Sequence, residues 1–115
     1  MSLRSFLKDL EGRGDLVRVE EKSSTRFDVA YILRELADGP ALLFENVEGF
    51  NVEIVGNVVS TRKRIYASLG ASQASFYKRM LDAYRGFSYP KIVREAPVME
   101  VTEQPNLLKI PGLTH

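Results

Sequence analysis

Apolar and polar positions alternate in blocks that predict a helix followed by a strand at the start of the chain. The first apolar residues recur at helical spacing: Leu3, Phe6, Leu7 and Leu10. Ser2 precedes them as a candidate N-cap, and Gly14 follows as a candidate left-handed stop. The next segment, Leu16–Val19, alternates between apolar and polar faces and predicts a short strand.

A second amphipathic helix follows a polar stretch. Thr25 with Asp28 three residues later resembles a capping box, with Asp in place of the usual Glu or Gln. The predicted buried stripe consists of Val29, Ala30, Leu33, Leu36 and Ala37. Gly39-Pro40 is expected to end this helix, because glycine accepts a positive φ and proline cannot continue the helical hydrogen bonding.

The run from residue 40 to residue 70 holds two more apolar segments and a helix. Ala41–Phe44 and residues 52–55 predict short strands, which turn-prone residues separate. An antiparallel hairpin and two nearby strands both fit this pattern. Gly56-Asn57 is expected to break or bulge the later strand. Ser60 or Thr61 then caps a short helix that stops at Gly70.

A fourth helix, capped by Ser72 and ended by Gly86, is expected to turn its apolar side toward a core or a buried interdomain face. That side consists of Phe76, Tyr77, Met80, Leu81 and Tyr84. After residue 86, X-Pro pairs punctuate the chain and favour extended backbone. One further strand is predicted at residues 98–101. The pattern therefore predicts a domain at residues 1–86 and an extended connector at residues 87–115.

Together these elements predict an α+β fold with a small mixed or antiparallel sheet covered by about four helices. A compact chain of 115 residues would have a radius of gyration of about 13 Å. The hydrophobic fraction of 44% and the charged fraction of 27% are those of an ordinary soluble globular protein.

Composition narrows the classes of function. The net charge of +1 gives no bulk electrostatic reason to expect a nucleic acid or a membrane surface as partner. No apolar stretch is long enough to span a bilayer. The absence of cysteine excludes disulfides, thiolate catalysis and sulfur-ligated zinc, and fits a cytoplasmic protein.

Few residues have side chains that could take part in catalysis or in ligand binding. The single histidine, His115, is the last residue, where a solvated side chain is more common than a catalytic one. The basic triplet Arg62, Lys63 and Arg64 lies at a predicted helix start. The triplet indicates either an anion-binding site or a solvated basic face, and we prefer the solvated face.

The remaining candidates have plain structural explanations. Glu45, Glu48 and Glu53 flank a predicted surface turn, where solvated carboxylates are more common than acid–base pairs. The glycines do not follow the spacing of a phosphate-binding loop. We therefore assign no catalytic, cofactor-binding or metal-binding residue within the chain.

Three segments, in order, carry a resemblance to a known family. LRSFLKDLEGRGDLVRVEE, GPALLFENVEGFN and VGNVVSTRKRIYASLG resemble the N-terminal domain of the UbiD-like decarboxylases. The closing LLKIPGLTH resembles the connector that enters the central domain of that family, with Gly112-Leu113 where the usual pattern is tighter. The resemblance covers nearly the whole chain.

The resemblance implies a longer protein that reversibly decarboxylates aromatic or α,β-unsaturated acids and forms a homo-oligomer. Members of the family use prenylated FMN, manganese and often potassium, and the protein orients the cofactor. The family's metal ligands and its catalytic Glu–Arg–Glu set belong to the central domain. No position here matches those motifs, so the 115 residues are expected to be inactive alone and to need that central domain as partner.

Two other classes of function stay open at this point. One is a free-standing regulatory module that binds an anion or a nucleic acid through Arg62, Lys63 and Arg64. The other is an interaction domain that associates with another subunit through an apolar face. A reading frame that continues beyond His115 with Asn, His and Glu ligands would favour the enzyme.

Overall fold

A three-stranded mixed sheet forms the centre of the computed structural model, which describes residues 2–114. The strands are β1 (Leu16–Val19), β2 (Ala41–Phe44) and β3 (Ile54–Gly56), in spatial order β1-β2-β3. β1 pairs with β2 in parallel, and β2 pairs with β3 in antiparallel orientation. Parallel neighbours need a crossover connection, which the helix between β1 and β2 provides. The α+β prediction is confirmed, with the sheet of the mixed type.

Four helices accompany the sheet. They are α1 (Leu3–Gly12), α2 (Asp28–Glu35), α3 (Arg62–Ser68) and α4 (Phe76–Arg85). Two short 3₁₀ turns, Pro97–Met99 and Leu107–Lys109, lie in the C-terminal part. None of the helices in the described part of the chain is long and apolar enough to cross a membrane.

All four residues of β2 are buried, because helices cover both faces of this strand. On one face, Ala41 and Leu43 pack with α1 and β1 side chains, namely Phe6, Leu10 and Leu16. On the other face, Leu42 and Phe44 pack with Val29 of α2 and with Val47. Successive residues of a strand point to opposite faces, so a continuous apolar run is what a doubly covered strand requires.

The ends of α1 match the sequence prediction. The Ser2 side chain accepts a hydrogen bond from the Ser5 backbone N–H, and the Ser5 side chain satisfies the Ser2 backbone in return. Gly14 adopts a φ of +71° just after the helix, which few residues other than glycine accept without strain. The Asp15 N–H then donates to the Leu10 carbonyl at 2.8 Å and closes the turn.

The start of α2 differs from the prediction. Thr25 does not cap the helix, which begins at Asp28 after Phe27 with a φ of +71°. The Asp28 carboxylate instead accepts from the Ser24 N–H at 3.0 Å. Because the Asp28 N–H also bonds the Arg26 carbonyl at 3.0 Å, the backbone makes a tight turn at Phe27.

The end of α2 and the start of β3 also differ from the predicted boundaries. α2 stops at Glu35, so the end predicted at Gly39-Pro40 is wrong, and Gly39 does not adopt a positive φ. β3 begins at residue 54 rather than at residue 52, because pairing with β2 starts where Ile54 faces Phe44. The preceding loop is held instead by a bridge between Ser23 and Val47.

The C-terminal third of the chain is largely exposed. α4 has no buried residue, so the predicted core-facing side is wrong within this chain: Tyr77 is 75% exposed and Tyr84 is 85% exposed. The strand predicted at residues 98–101 is replaced by a 3₁₀ turn at Pro97–Met99. The radius of gyration, 17.3 Å, exceeds the value of about 13 Å for a compact chain of this length.

The end of the chain nevertheless returns to the start of α2. The Thr114 N–H donates to the Thr25 carbonyl at 3.0 Å, and the Phe27 N–H donates to the Thr114 carbonyl at 3.1 Å. This bridge holds Thr114 against the start of α2. His115, the single histidine considered above, lies outside the described residues.

Candidate functional site

The basic triplet at the start of α3 divides into two exposed side chains and one buried side chain. Thr61 caps the helix, since its hydroxyl accepts from the Arg64 N–H at 3.3 Å. Arg62 and Lys63 are exposed, whereas Arg64 is only 3% exposed. The prediction of a solvated basic face is therefore wrong for Arg64. The alternative interpretation, an anion site that includes Arg64, is also wrong for this side chain.

Arg64 joins three separate turns of the chain. Its Nη1 lies 3.4 Å from the Asp15 carboxylate. Its Nη2 donates to the carbonyl of Gly39 at 2.8 Å, to the carbonyl of Asn57 at 3.2 Å and to the Ser60 hydroxyl. Its Nε has no hydrogen-bond partner among the described residues. The guanidinium thus binds protein acceptors at the ends of α1, α2 and β3.

Asn57 is a second residue whose role the sequence did not reveal. It has a φ of +56°, and its side-chain amide donates to the carbonyls of Leu33 at 2.8 Å and Leu36 at 3.2 Å. The last carbonyls of a helix lack partners within the helix, so Asn57 caps the C-terminus of α2. The signal in the sequence was the Gly56-Asn57 pair, which we interpreted only as a strand break.

Replacing Asn57 by glycine should destabilise the fold by about 1–3 kcal/mol, because glycine keeps the positive φ but leaves α2 carbonyls unpaired. Alanine should cost more than glycine at this position, since its side chain also resists that φ. Urea unfolding followed by circular dichroism measures both. Asn51, exposed in a loop, provides the matched Asn-to-Gly control. Equal effects at the two positions would contradict the capping role.

The three glutamates near the predicted turn do not form one carboxylate cluster with a common partner. Glu45 bonds Arg18, which also binds Glu11 with Nε 2.6 Å from Oε1. Glu48 lies 3.7 Å from the Lys22 ammonium in an exposed pair. The hydrogen bond from Arg18 holds the pKa of Glu11 below its ordinary value. Exposed pairs of this kind contribute little to stability.

A basic cavity of about 670 Å³ lies between the end of α1, one side of α3 and the loop that follows α3. Three cations line it, Arg13 from the end of α1 and Arg62 and Lys63 from the start of α3. The other polar groups in its wall include Tyr66, Ser72 and Gln73. The triplet prediction thus included two residues of this cavity and missed Arg13, which is distant in sequence.

The described part of the chain has no cluster of metal-ligating side chains. Residues 2–114 contain no group of three or more His, Asp or Glu side chains that could hold a metal ion. These residues therefore do not offer a ligand set for manganese.

Comparison with solved structures identifies close likenesses among UbiD-class enzymes. HmfF from Pelotomaculum thermopropionicum, solved with FMN, is 30% identical with a TM-score of 0.90 over 100% of this chain. Its evolved dimeric form, solved with prFMN, gives a TM-score of 0.89 over 99%. The closed form of vanillic acid decarboxylase from Sedimentibacter hydroxybenzoicus is 29% identical, with a TM-score of 0.68 over 76% of the chain and 20% of its own.

The chain spans only a small part of these proteins. It covers 27% of the HmfF chain with FMN and 28% of the dimeric form. An uncharacterized protein of Aquifex aeolicus is 36% identical over an alignment 72 residues long, which covers 59% of this chain and 15% of that protein. Residues 7–84 match the family described as the 3-octaprenyl-4-hydroxybenzoate carboxy-lyase N-terminal domain. The chain therefore belongs to the UbiD N-terminal domain family, as the resemblance in its sequence had indicated.

Proposed function

We propose that this chain is the structural N-terminal domain of a UbiD-class enzyme that decarboxylates aromatic or α,β-unsaturated acids with prenylated FMN. In this role residues 1–86 form the domain and residues 87–115 connect it to a central catalytic domain. Manganese, potassium and the flavin would all be held by that central domain. We further propose a cytoplasmic homo-oligomer, a location that the absence of cysteine supports.

The exposed apolar surface of the C-terminal third is the observation that carries this proposal. α4 leaves Tyr77, Met80, Leu81 and Tyr84 exposed on one side of the helix. In the connector, Ile92 is 94% exposed. Each large apolar side chain gains about 1.5–3 kcal/mol on burial, so a surface of this extent favours association with another protein surface.

The comparison with HmfF supports a domain of the same polypeptide as the partner. The likeness to HmfF extends over the whole described chain, connector included, and so over the exposed helix α4. In HmfF this region belongs to a chain more than three times as long, since it makes up 27% of that chain. We infer that α4 and the connector pack against the central domain.

A chimera tests the proposal. Replacing the matching N-terminal region of HmfF by this chain should give a protein that still retains prFMN, as judged by its absorbance spectrum. The 115-residue chain alone should retain none. Leu81→Lys in the chimera should lower its melting temperature, because the substitution places a charge on the apolar side of α4.

Asp82→Lys provides the matched control, since Asp82 lies on the opposite, polar side of α4 and is exposed. It should leave the melting temperature of the chimera nearly unchanged. The proposal fails if the chain alone retains prFMN. It also fails if the chimera is no more stable than HmfF without its N-terminal region, or if the two lysine variants behave alike.

A further inference from the structure

The basic cavity between α1 and α3 concentrates positive charge in a chain that is otherwise nearly neutral. Arg13, Arg62 and Lys63 line it, and no Asp or Glu contributes to its wall. None of the three cations forms an ion pair with another residue in the range 2–114. The whole chain has a net charge of only +1. Three uncompensated cations around one cavity favour an anionic ligand.

The ion pair between the half-buried Asp15 and the buried Arg64 brings these cations together. Arg13 precedes Asp15 by two residues, and Arg62 and Lys63 directly precede Arg64. Fixing the Asp15 carboxylate to the guanidinium therefore places the end of α1 beside the start of α3. This explains why one cavity includes cations that lie about fifty residues apart in the sequence.

The loop at residues 70–73 forms another part of the cavity wall, and hydrogen bonds hold it in place. Gly70 has a φ of +61°, and the Ala71 N–H donates to the Tyr66 carbonyl at 2.8 Å. Arg79 of α4 donates to the Gly70 carbonyl at 3.3 Å. The Tyr66 ring packs on Phe76 with ring centroids 4.8 Å apart. The wall is thus formed before a ligand binds, which lowers the entropy cost of binding.

We propose that this cavity binds a small organic phosphate. Guanidinium groups match the geometry of phosphate oxygens through paired hydrogen bonds, and the Lys63 ammonium adds a point charge. The volume of about 670 Å³ is in the range of pockets for small organic ligands and far larger than inorganic phosphate needs. Tyr66 and Gln73 offer further polar groups for the organic part.

Calorimetric titration of the 115-residue chain with AMP tests this proposal, with adenosine as the probe that lacks phosphate. We expect saturable binding of AMP that weakens as salt increases, and no binding of adenosine. The triple variant Arg13→Gln/Arg62→Gln/Lys63→Gln should weaken AMP binding by at least about tenfold. Arg13→Gln alone should weaken it by a smaller factor, and this exposed substitution leaves the buried Arg64 in place.

A second triple variant, Lys8→Gln/Lys91→Gln/Arg94→Gln, removes the same charge from exposed positions that do not line the cavity. It should bind AMP with the same affinity as the parent chain. Circular dichroism of each variant checks that it folds. The proposal is overturned if AMP does not saturate the chain, if adenosine binds equally well, or if both triple variants lose the same affinity.

Discussion

Replacing Arg64 by methionine is expected to destabilise the fold by about 2–4 kcal/mol, because the substitution removes a buried guanidinium from several protein acceptors. The half-buried Asp15 carboxylate would lose its cation, and the carbonyls of Gly39 and Asn57 would lose a donor. Each acceptor left unpaired away from water costs about 1–3 kcal/mol, and less where water reaches it. Methionine fills similar space, so lost packing contributes little. Urea unfolding followed by circular dichroism measures the difference.

Two further variants separate this effect from a general loss of charge. Arg62→Met makes the same substitution two positions earlier, on an exposed side chain, and should change stability by no more than about 0.5 kcal/mol. Arg64→Lys keeps the charge but cannot reach several acceptors at once, so its loss should be intermediate. If Arg64→Met and Arg62→Met unfold at the same urea concentration, Arg64 does not have the structural role described here.

Replacing Gly56 by alanine should destabilise the fold by about 1 kcal/mol, the lower end of the range for overpacking, because the half-buried Leu33 side chain can partly move away. A Cβ at Gly56 would lie 2.2 Å from Cδ2 and 2.9 Å from Cδ1 of Leu33. Gly56 belongs to β3 and pairs with Leu42 of the central strand, so neither backbone can move away freely. The Leu33 side chain of α2 would have to leave its position instead. Thermal and urea unfolding measure the change.

A double-mutant cycle with Leu33→Ala tests the cause. If the clash is responsible, Gly56→Ala should cost less in the Leu33→Ala background than in the parent chain. Gly12→Ala is the matched control, because a Cβ there meets no atom within 4 Å. That control should be neutral or stabilise the chain by about 0.4–1 kcal/mol. Additive effects of the substitutions at Gly56 and Leu33 would contradict close packing between α2 and β3.

Both predictions concern residues whose structural role the sequence alone does not reveal. Arg64 stood in a basic triplet and was expected to be solvated with its two neighbours. Its burial depends on Asp15, Gly39 and Asn57, which are distant from it in sequence. The Gly56-Asn57 pair ends β3 as the sequence predicts, but the close contact of Gly56 with Leu33 has no signal in the sequence. Contacts between distant residues leave no local periodic signal.

The lack of a local signal for long-range contacts also explains why the predicted core contact of α4 is wrong within this chain. Its apolar residues recur at helical spacing, and the helix is present at Phe76–Arg85. Spacing shows which side of a helix is apolar, but it does not show which surface covers that side. In the described chain no element buries it, so the predicted core contact is absent within residues 2–114. The proposed function assigns that contact to another domain.

The sequence by itself determined the elements whose signals are local. The strands Leu16–Val19 and Ala41–Phe44 have the predicted bounds, and Ser2 and Thr61 cap the helices that follow them. Strand periodicity and cap hydrogen bonds involve residues within a few positions of each other. The order of its motifs also identified the family.

Only the tertiary structure decided the parallel pairing of β1 with β2, the burial of Arg64 and the cavity that joins Arg13 to Arg62 and Lys63. Each of these features depends on which distant segments become neighbours when helices cover both faces of β2. That choice is made by the burial of the whole apolar surface, a property that no short window of the sequence contains.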